Sequence, residues 1–150
     1  MYKDTMDTAK LQSLPCYCAT LRQAARAVTA LYDQVLAQHG IPGTQHTALQ
    51  LMKAAPRLTT TELAEAIGID QTTATRTLAL IRKSGLAADS PGGDRRERRW
   101  VLTAAGEAAL RRLRPAWERA QAQFEDRLGR SEAAALKKAA FAAARKLASD

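Results

Sequence analysis

The run Leu58-Thr59-Thr60-Thr61-Glu62-Leu63, with Gly68-Ile69-Asp70 close behind it, constrains the fold more than any other part of the chain. Thr59 and Glu62 have the T-x-x-E spacing of a capping box, in which the hydroxyl accepts from one orphan helical amide and the carboxylate reaches back for another. Leu58 and Leu63 stand at the N′ and N4 positions of that cap, a hydrophobic staple that sets the entry angle of the chain. A short helix is therefore predicted from Thr60 and ended by Gly68. Asp70, a preferred N-cap residue, opens a second helix over Gln71 to Ser84, with Ala74, Leu78 and Ile81 inward and Gly85 closing it. Two helices joined by so short a glycine turn form either an αα-hairpin or a helix-turn-helix, and Ala64 is small enough for a close crossing.

The segment after Gly85 favours the helix-turn-helix. Leu86-Ala87-Ala88-Asp89 and Arg98-Arg99-Trp100-Val101-Leu102 flank the turn-forming cluster Ser90-Pro91-Gly92-Gly93-Asp94, which reads as a β-hairpin with Leu86, Trp100 and Leu102 toward the core. Its tip and returning strand carry Arg95, Arg96, Arg98 and Arg99 with one intervening acid, Glu97. A basic hairpin directly after a helix-turn-helix is a wing.

Helices flank this unit on both sides. Leu21, Ala24, Ala25, Val28, Leu31, Tyr32 and Val35 form an apolar stripe over Pro15 to Gln38, broken by His39-Gly40-Ile41-Pro42-Gly43. Thr44 is the expected cap of a shorter helix running through Met52. Thr103 caps a long helix with Leu110, Leu113, Trp117, Ala120, Phe124 and Leu128 at three-and-four spacing, which Pro115 should kink or restart. After Gly129 a last helix carries Leu136, Ala140, Ala143 and Leu147 on one face. These terminal helices present apolar faces with little else in a single chain to cover them.

The 150 residues hold 23 Lys plus Arg against 15 Asp plus Glu, a formal charge of +8 that favours an anionic partner. An enzyme lacks its parts here: there is no G-x-S-x-G, no P-loop and no cluster of acids with histidine. A basic membrane-surface binder would set its cations on a helix opposite bulky apolars, whereas the densest basic run, Arg95 to Arg99, lies in a hairpin. No apolar run approaches the about 18 residues of a membrane span, and Met1 to Asp7 carries two acids, so neither insertion nor a signal peptide is expected. The cytoplasm is the expected location. Neither a cofactor nor a metal is expected, since Cys16-x-Cys18 with His39 and His46 has no zinc-site spacing.

This order of elements resembles the MarR family of bacterial transcriptional regulators. The resemblance runs over nearly the whole chain from about residue 15 and is carried by Thr61-Glu62-Leu63-Ala64, Thr75-Arg76, Leu86, and Asp94-Arg95-Arg96 leading into Leu102-Thr103-Ala104-Ala105-Gly106. It implies one mainly α domain over 1–150, with 15–38 and 103–149 as dimerisation helices and 44–102 as the winged helix-turn-helix core. It further implies a homodimer on a pseudo-palindromic double-stranded operator, acting as a repressor that a small aromatic ligand or oxidation releases.

Within that frame Gln71, Thr72, Thr73, Thr75 and Arg76 fill the first two turns of the recognition helix, the part aimed at base edges. Arg76 suits the O6 and N7 of guanine, Gln71 suits adenine or a phosphate, and threonine methyls suit thymine. By resemblance Arg96 enters the minor groove and Asp94 holds it through an ion pair, while Arg95, Arg98 and Arg99 meet phosphates. Cys16 and Cys18 fall in the first turns of the first helix, where the dipole favours the reactive thiolate. Aligning Arg26 and Thr29 with the Arg and Thr that lie after the peroxide-sensing cysteine of organic hydroperoxide regulators puts Cys18 at the sensing position, the other reading being buried packing cysteines. His46 borders the region of the family's effector cavity, as a ligand contact or as a satisfied interfacial histidine.

Overall fold

The computed structural model describes residues 15–94 and 96–148, so Arg95 lies outside the described residues. The elements run α1 (Tyr17–Leu36), a 3-10 turn (Ala37–His39), α2 (Gly43–Ala54), β1 (Leu58–Thr59), α3 (Thr60–Ile67) and α4 (Gln71–Lys83). They continue with β2 (Ala87–Pro91), β3 (Arg98–Leu102), α5 (Ala104–Leu128) and α6 (Arg130–Ala148).

The capping signals fold as the sequence predicts. Thr59 Oγ1 accepts from the Glu62 amide at 3.1 Å, and the Glu62 carboxylate accepts from the Thr59 amide at 2.7 Å. At the other end Gly68 takes φ 81°, a left-handed conformation that a side chain would resist. Two residues on, the Asp70 carboxylate accepts from the Thr73 amide at 2.8 Å and starts α4. The starts of both helices and the turn between them are thus set by bonds made locally, between Thr59 and Thr73. Leu63, Leu78 and Ile81 are fully buried at the crossing, with Ala48, Leu49, Met52, Ala87 and Trp100. Each such aliphatic side chain contributes about 1.5 to 3 kcal/mol relative to leaving it exposed.

The wing is a three-stranded antiparallel sheet in the order β1-β3-β2, with one strand more than the expected hairpin. Leu58 pairs with Trp100 and Thr59 with Arg99. Arg57, just before β1, holds a left-handed φ of 71°; its amide donates to the Trp100 carbonyl at 2.9 Å, and its own carbonyl accepts from Arg99 Nη1 at 3.1 Å. The Trp100 indole is buried and donates to Thr60 Oγ1 at 2.9 Å, pinning the sheet to the start of α3.

One expectation about the flanking helices changes and another narrows. Thr44 is not the cap of α2, whose N-cap is Pro42. Its first amide, Gly43 N–H, instead donates to Asp33 Oδ1 at 2.7 Å, so a carboxylate of α1 caps α2. Of the two outcomes expected at Pro115, a kink or a restart, the restart does not occur, because α5 is continuous through it. The ring removes the bond to the Arg111 carbonyl, and both Arg111 and Pro115 lie on the exposed side of the helix, while Leu113 and Ala116 on either side of Pro115 are buried.

A second core joins Val35, Leu36 and Ile41 to Ala109, Leu113, Ala116 and Ala120, so α1 packs along α5. The outer parts of the terminal helices stay uncovered: Leu21, Phe141 and Leu147 are 53%, 64% and 86% exposed. Ala133 is the one apolar residue of α6 buried in the single chain among the described residues.

Candidate nucleic-acid interface

Asp70 and the turn before it project the N-terminal half of α4 outward. Gln71, Thr72, Thr75 and Arg76 are exposed and, with Ala79, line one shallow concavity. Thr73 differs from the other polar residues. Its hydroxyl donates to Asp70 Oδ2 at 2.8 Å while its amide takes Oδ1, so both donors serve the cap. The bonds to Thr73 hold the Asp70 carboxyl below its usual range. Thr75 Oγ1 donates back to the Gln71 carbonyl at 2.9 Å, so its hydroxyl is taken up by the helix's own backbone.

In the wing the arginines divide into held and free. Arg99 is half-buried, bonds Glu97 at 3.2 Å and the Arg57 carbonyl, and so braces the sheet. Arg98 lies 3.6 Å from Asp89. Arg96 is exposed at the tip, and the expected ion pair with Asp94 is absent among the described residues: the Asp94 carboxylate accepts from the Arg96 backbone amide at 3.3 Å. A short acid at the head of a tight turn reaches an amide two residues on more readily than a long, solvated guanidinium. Neither Arg76 nor Arg96 has a carboxylate partner among the described residues, while Arg82 bonds both oxygens of Asp89 at 3.2 and 3.3 Å. That contact escapes a reading of the sequence, because Arg82 and Asp89 belong to different elements.

Cys16 is the N-cap of α1 with extended backbone, so only Cys18 stands within the helix. Both thiols are exposed in the single chain. Cys18 Sγ accepts from Arg22 Nη2 at 3.3 Å, one turn along α1. His46 sits in α2, 3% exposed, with its ring 6.5 Å from that of Trp117 and tilted by 31°. Burial holds its pKa below the usual histidine value. Among the described residues no helix is long and apolar enough to cross a membrane.

A basic sheet hinged to a helix whose polar N-terminal face is exposed, carried on long helices, defines a winged helix-turn-helix regulator. The chain belongs to the MarR family of DNA-binding transcriptional regulators; the MarR family model matches residues 39–97. It is 36% identical to the transcriptional regulator MosR of M. tuberculosis, covering 85% of this chain and 97% of that one with a TM-score of 0.71. With the same regulator in complex with DNA the values are 38%, 85%, 98% and 0.66. A MarR family regulator from Streptomyces coelicolor in complex with DNA is 25% identical over 89% of this chain and 90% of that one, TM-score 0.75. The repressor CouR bound to a 23-mer duplex is 25% identical over 86% and 92%, TM-score 0.73. No curated protein sequence matches the chain.

Proposed function

We propose that this chain is a cytoplasmic, homodimeric repressor that reads a pseudo-palindromic DNA operator. The observation that carries the reading is the contrast between free and held arginines. Arg76 on α4 and Arg96 at the wing tip are exposed cations without a carboxylate partner among the described residues, on the two elements that a winged helix lays against major and minor grooves. Gln71, Thr72 and the Thr75 methyl complete the base-facing surface, Thr73 and Asp94 support it from behind, and Arg95 and Arg98 add charge toward phosphates. That MosR, the Streptomyces coelicolor regulator and CouR are each known in complex with DNA supports duplex DNA as the partner. Duplex binding should weaken steeply between low and moderate salt, with a log–log slope near −0.9 for each phosphate neutralised. Genomic-fragment selection and then footprinting would supply the operator; failure to enrich any duplex would refute the reading.

The releasing signal has two candidates. A small aromatic ligand would act beside His46 and Trp117, where α2 meets α5. An oxidant is favoured by a different observation, the exposed Cys18 sulfur beside the Arg22 guanidinium. A hydroperoxide attacked by the Cys18 thiolate yields a sulfenic acid and an alcohol, and a second thiol, Cys16 of the partner subunit or a low-molecular-weight thiol, then displaces water to form a disulfide. Operator affinity of wild type, Cys16→Ser and Cys18→Ser, measured before and after mild hydroperoxide and again after a dithiol, separates the two. Loss on oxidation that requires Cys18 supports the sensor; identical behaviour of all three proteins returns the signal to a ligand.

A further inference from the structure

One carboxylate joins the two DNA-facing elements. Asp89 lies in β2 directly opposite Trp100 of β3, so the two side chains share a face of the sheet. Its side chain is only 10% exposed, yet two cations reach it. Arg82, from the last turn of α4, places Nη1 at 3.3 and 3.2 Å from the two oxygens, and its guanidinium carbon stands 5.9 Å from the centre of the Trp100 ring. Arg98, from the returning strand, sets Nε 3.6 Å from Oδ2. The other acid in the body of the hairpin, Glu97, pairs within the wing to Arg99 and makes no such link.

We propose that Asp89 is the positioning residue that locks the wing to the recognition helix, so that Arg96 and Arg76 approach one half-site at a fixed separation. The inference rests on the DNA-binding reading of the fold. Its physical content is a contest of signs. Asp89 is an anion on a basic, DNA-facing unit, and by charge alone its removal should strengthen every duplex contact. As a positioning group it does the reverse for one class of DNA. Without the carboxylate the Arg82 and Arg98 guanidiniums repel each other across the site, the wing moves relative to α4, and a site that needs both elements at once loses its geometry. Duplex held by charge alone does not need that geometry.

Asp89→Asn keeps the shape and removes the charge. Against wild type, it should lower affinity for the selected operator about tenfold, the size of coupling expected between contacting groups, while affinity for an unrelated duplex stays level or rises. Asp89→Glu should recover most of the operator-to-unrelated ratio, and Glu97→Gln should leave that ratio as it is. Amide hydrogen exchange of β2 and β3 in DNA-free protein should quicken in Asp89→Asn, a readout independent of any DNA. An Asp89→Asn protein that binds both duplexes more tightly in parallel, or whose β2 and β3 exchange is unchanged, overturns the inference and leaves the DNA reading standing. A wild-type protein that binds no duplex overturns both.

Discussion

Thr103 Oγ1 donates to the Gly85 carbonyl at 2.7 Å, joining the residue before α5 to the end of the recognition helix. The same oxygen accepts from the Gly106 amide at 3.1 Å as the N-cap of α5, and the Thr103 amide donates to the Leu86 carbonyl at 3.1 Å. Three residues further, a Cβ on Gly106 would overlap that Leu86 carbonyl oxygen and come within 2.7 Å of Leu102 Cδ1. Any movement of α5 is therefore passed to the base of the wing through one hydroxyl and one close approach of backbone to helix.

The first prediction concerns that joint. Thr103→Ala removes a cap and leaves the Gly85 carbonyl short of a donor, costing about 1 to 2 kcal/mol, whereas Thr103→Ser keeps both bonds and most of the stability. Gly106→Ala should cost about 3 kcal/mol or more, because a backbone oxygen cannot move aside as a side chain does. Denaturant unfolding of the three variants gives the ranking; a Gly106→Ala protein as stable as wild type would contradict the packing.

Joints of this kind mark the boundary of what the sequence makes legible. The ends of α3 and α4 are legible because Thr59 with Glu62, and Asp70 with Thr73, settle them within three residues. Contacts between distant segments leave no such mark. Asp33 caps α2 from ten residues away, Arg99 holds the Arg57 carbonyl from 42 away, and the Asp89 link to α4 crosses two elements. β1 is hidden because its two residues, Leu58 and Thr59, also serve as staple and cap, leaving no alternation to read. Residue types alone also do not say which arginines are free: Arg96, Arg98 and Arg99 are near neighbours in sequence, and only their partners distinguish them.

For DNA recognition, Arg76→Ala and Arg96→Ala should fail differently. Loss of a bidentate base contact by Arg76 should cost about 1 to 3 kcal/mol and relax preference at one base pair in each half-site. Loss of Arg96 should weaken binding most where the flanks are A·T-rich and the minor groove is narrow. Affinities for an operator and its flank-substituted variants read both effects. If neither substitution changed affinity, these residues would not be the contacts.

Assembly is checked on the uncovered helix faces. Light scattering should report a dimer at micromolar concentration. Leu147→Glu and Phe141→Glu, each placing a charge on an exposed apolar surface of α6, should raise the dimer dissociation constant about 30-fold, equivalent to about 2 kcal/mol. A full-length wild type that is monomeric, or variants that dimerise as it does, would show that these faces are not the interface.

The last prediction comes from the burial of His46. In the folded chain its pKa lies below the usual value of about 6.5, because a charged imidazole packed near Trp117 loses its hydration. The folded state therefore binds fewer protons than the unfolded state in the window just below pH 6.5, and stability rises with pH there. His46 exacts no cost above that value, and its destabilising effect grows as the pH falls from about 6.5 until the folded state also takes up the proton. Glu62 and Asp70, whose carboxyls are held low by their caps, titrate at more acidic pH and leave this window to histidine. His39 is exposed and serves as the control. Unfolding free energies measured between pH 7.5 and 5 should slope for wild type and His39→Gln and flatten for His46→Gln; an equal slope in all three proteins would mean that His46 keeps ordinary hydration in the folded protein.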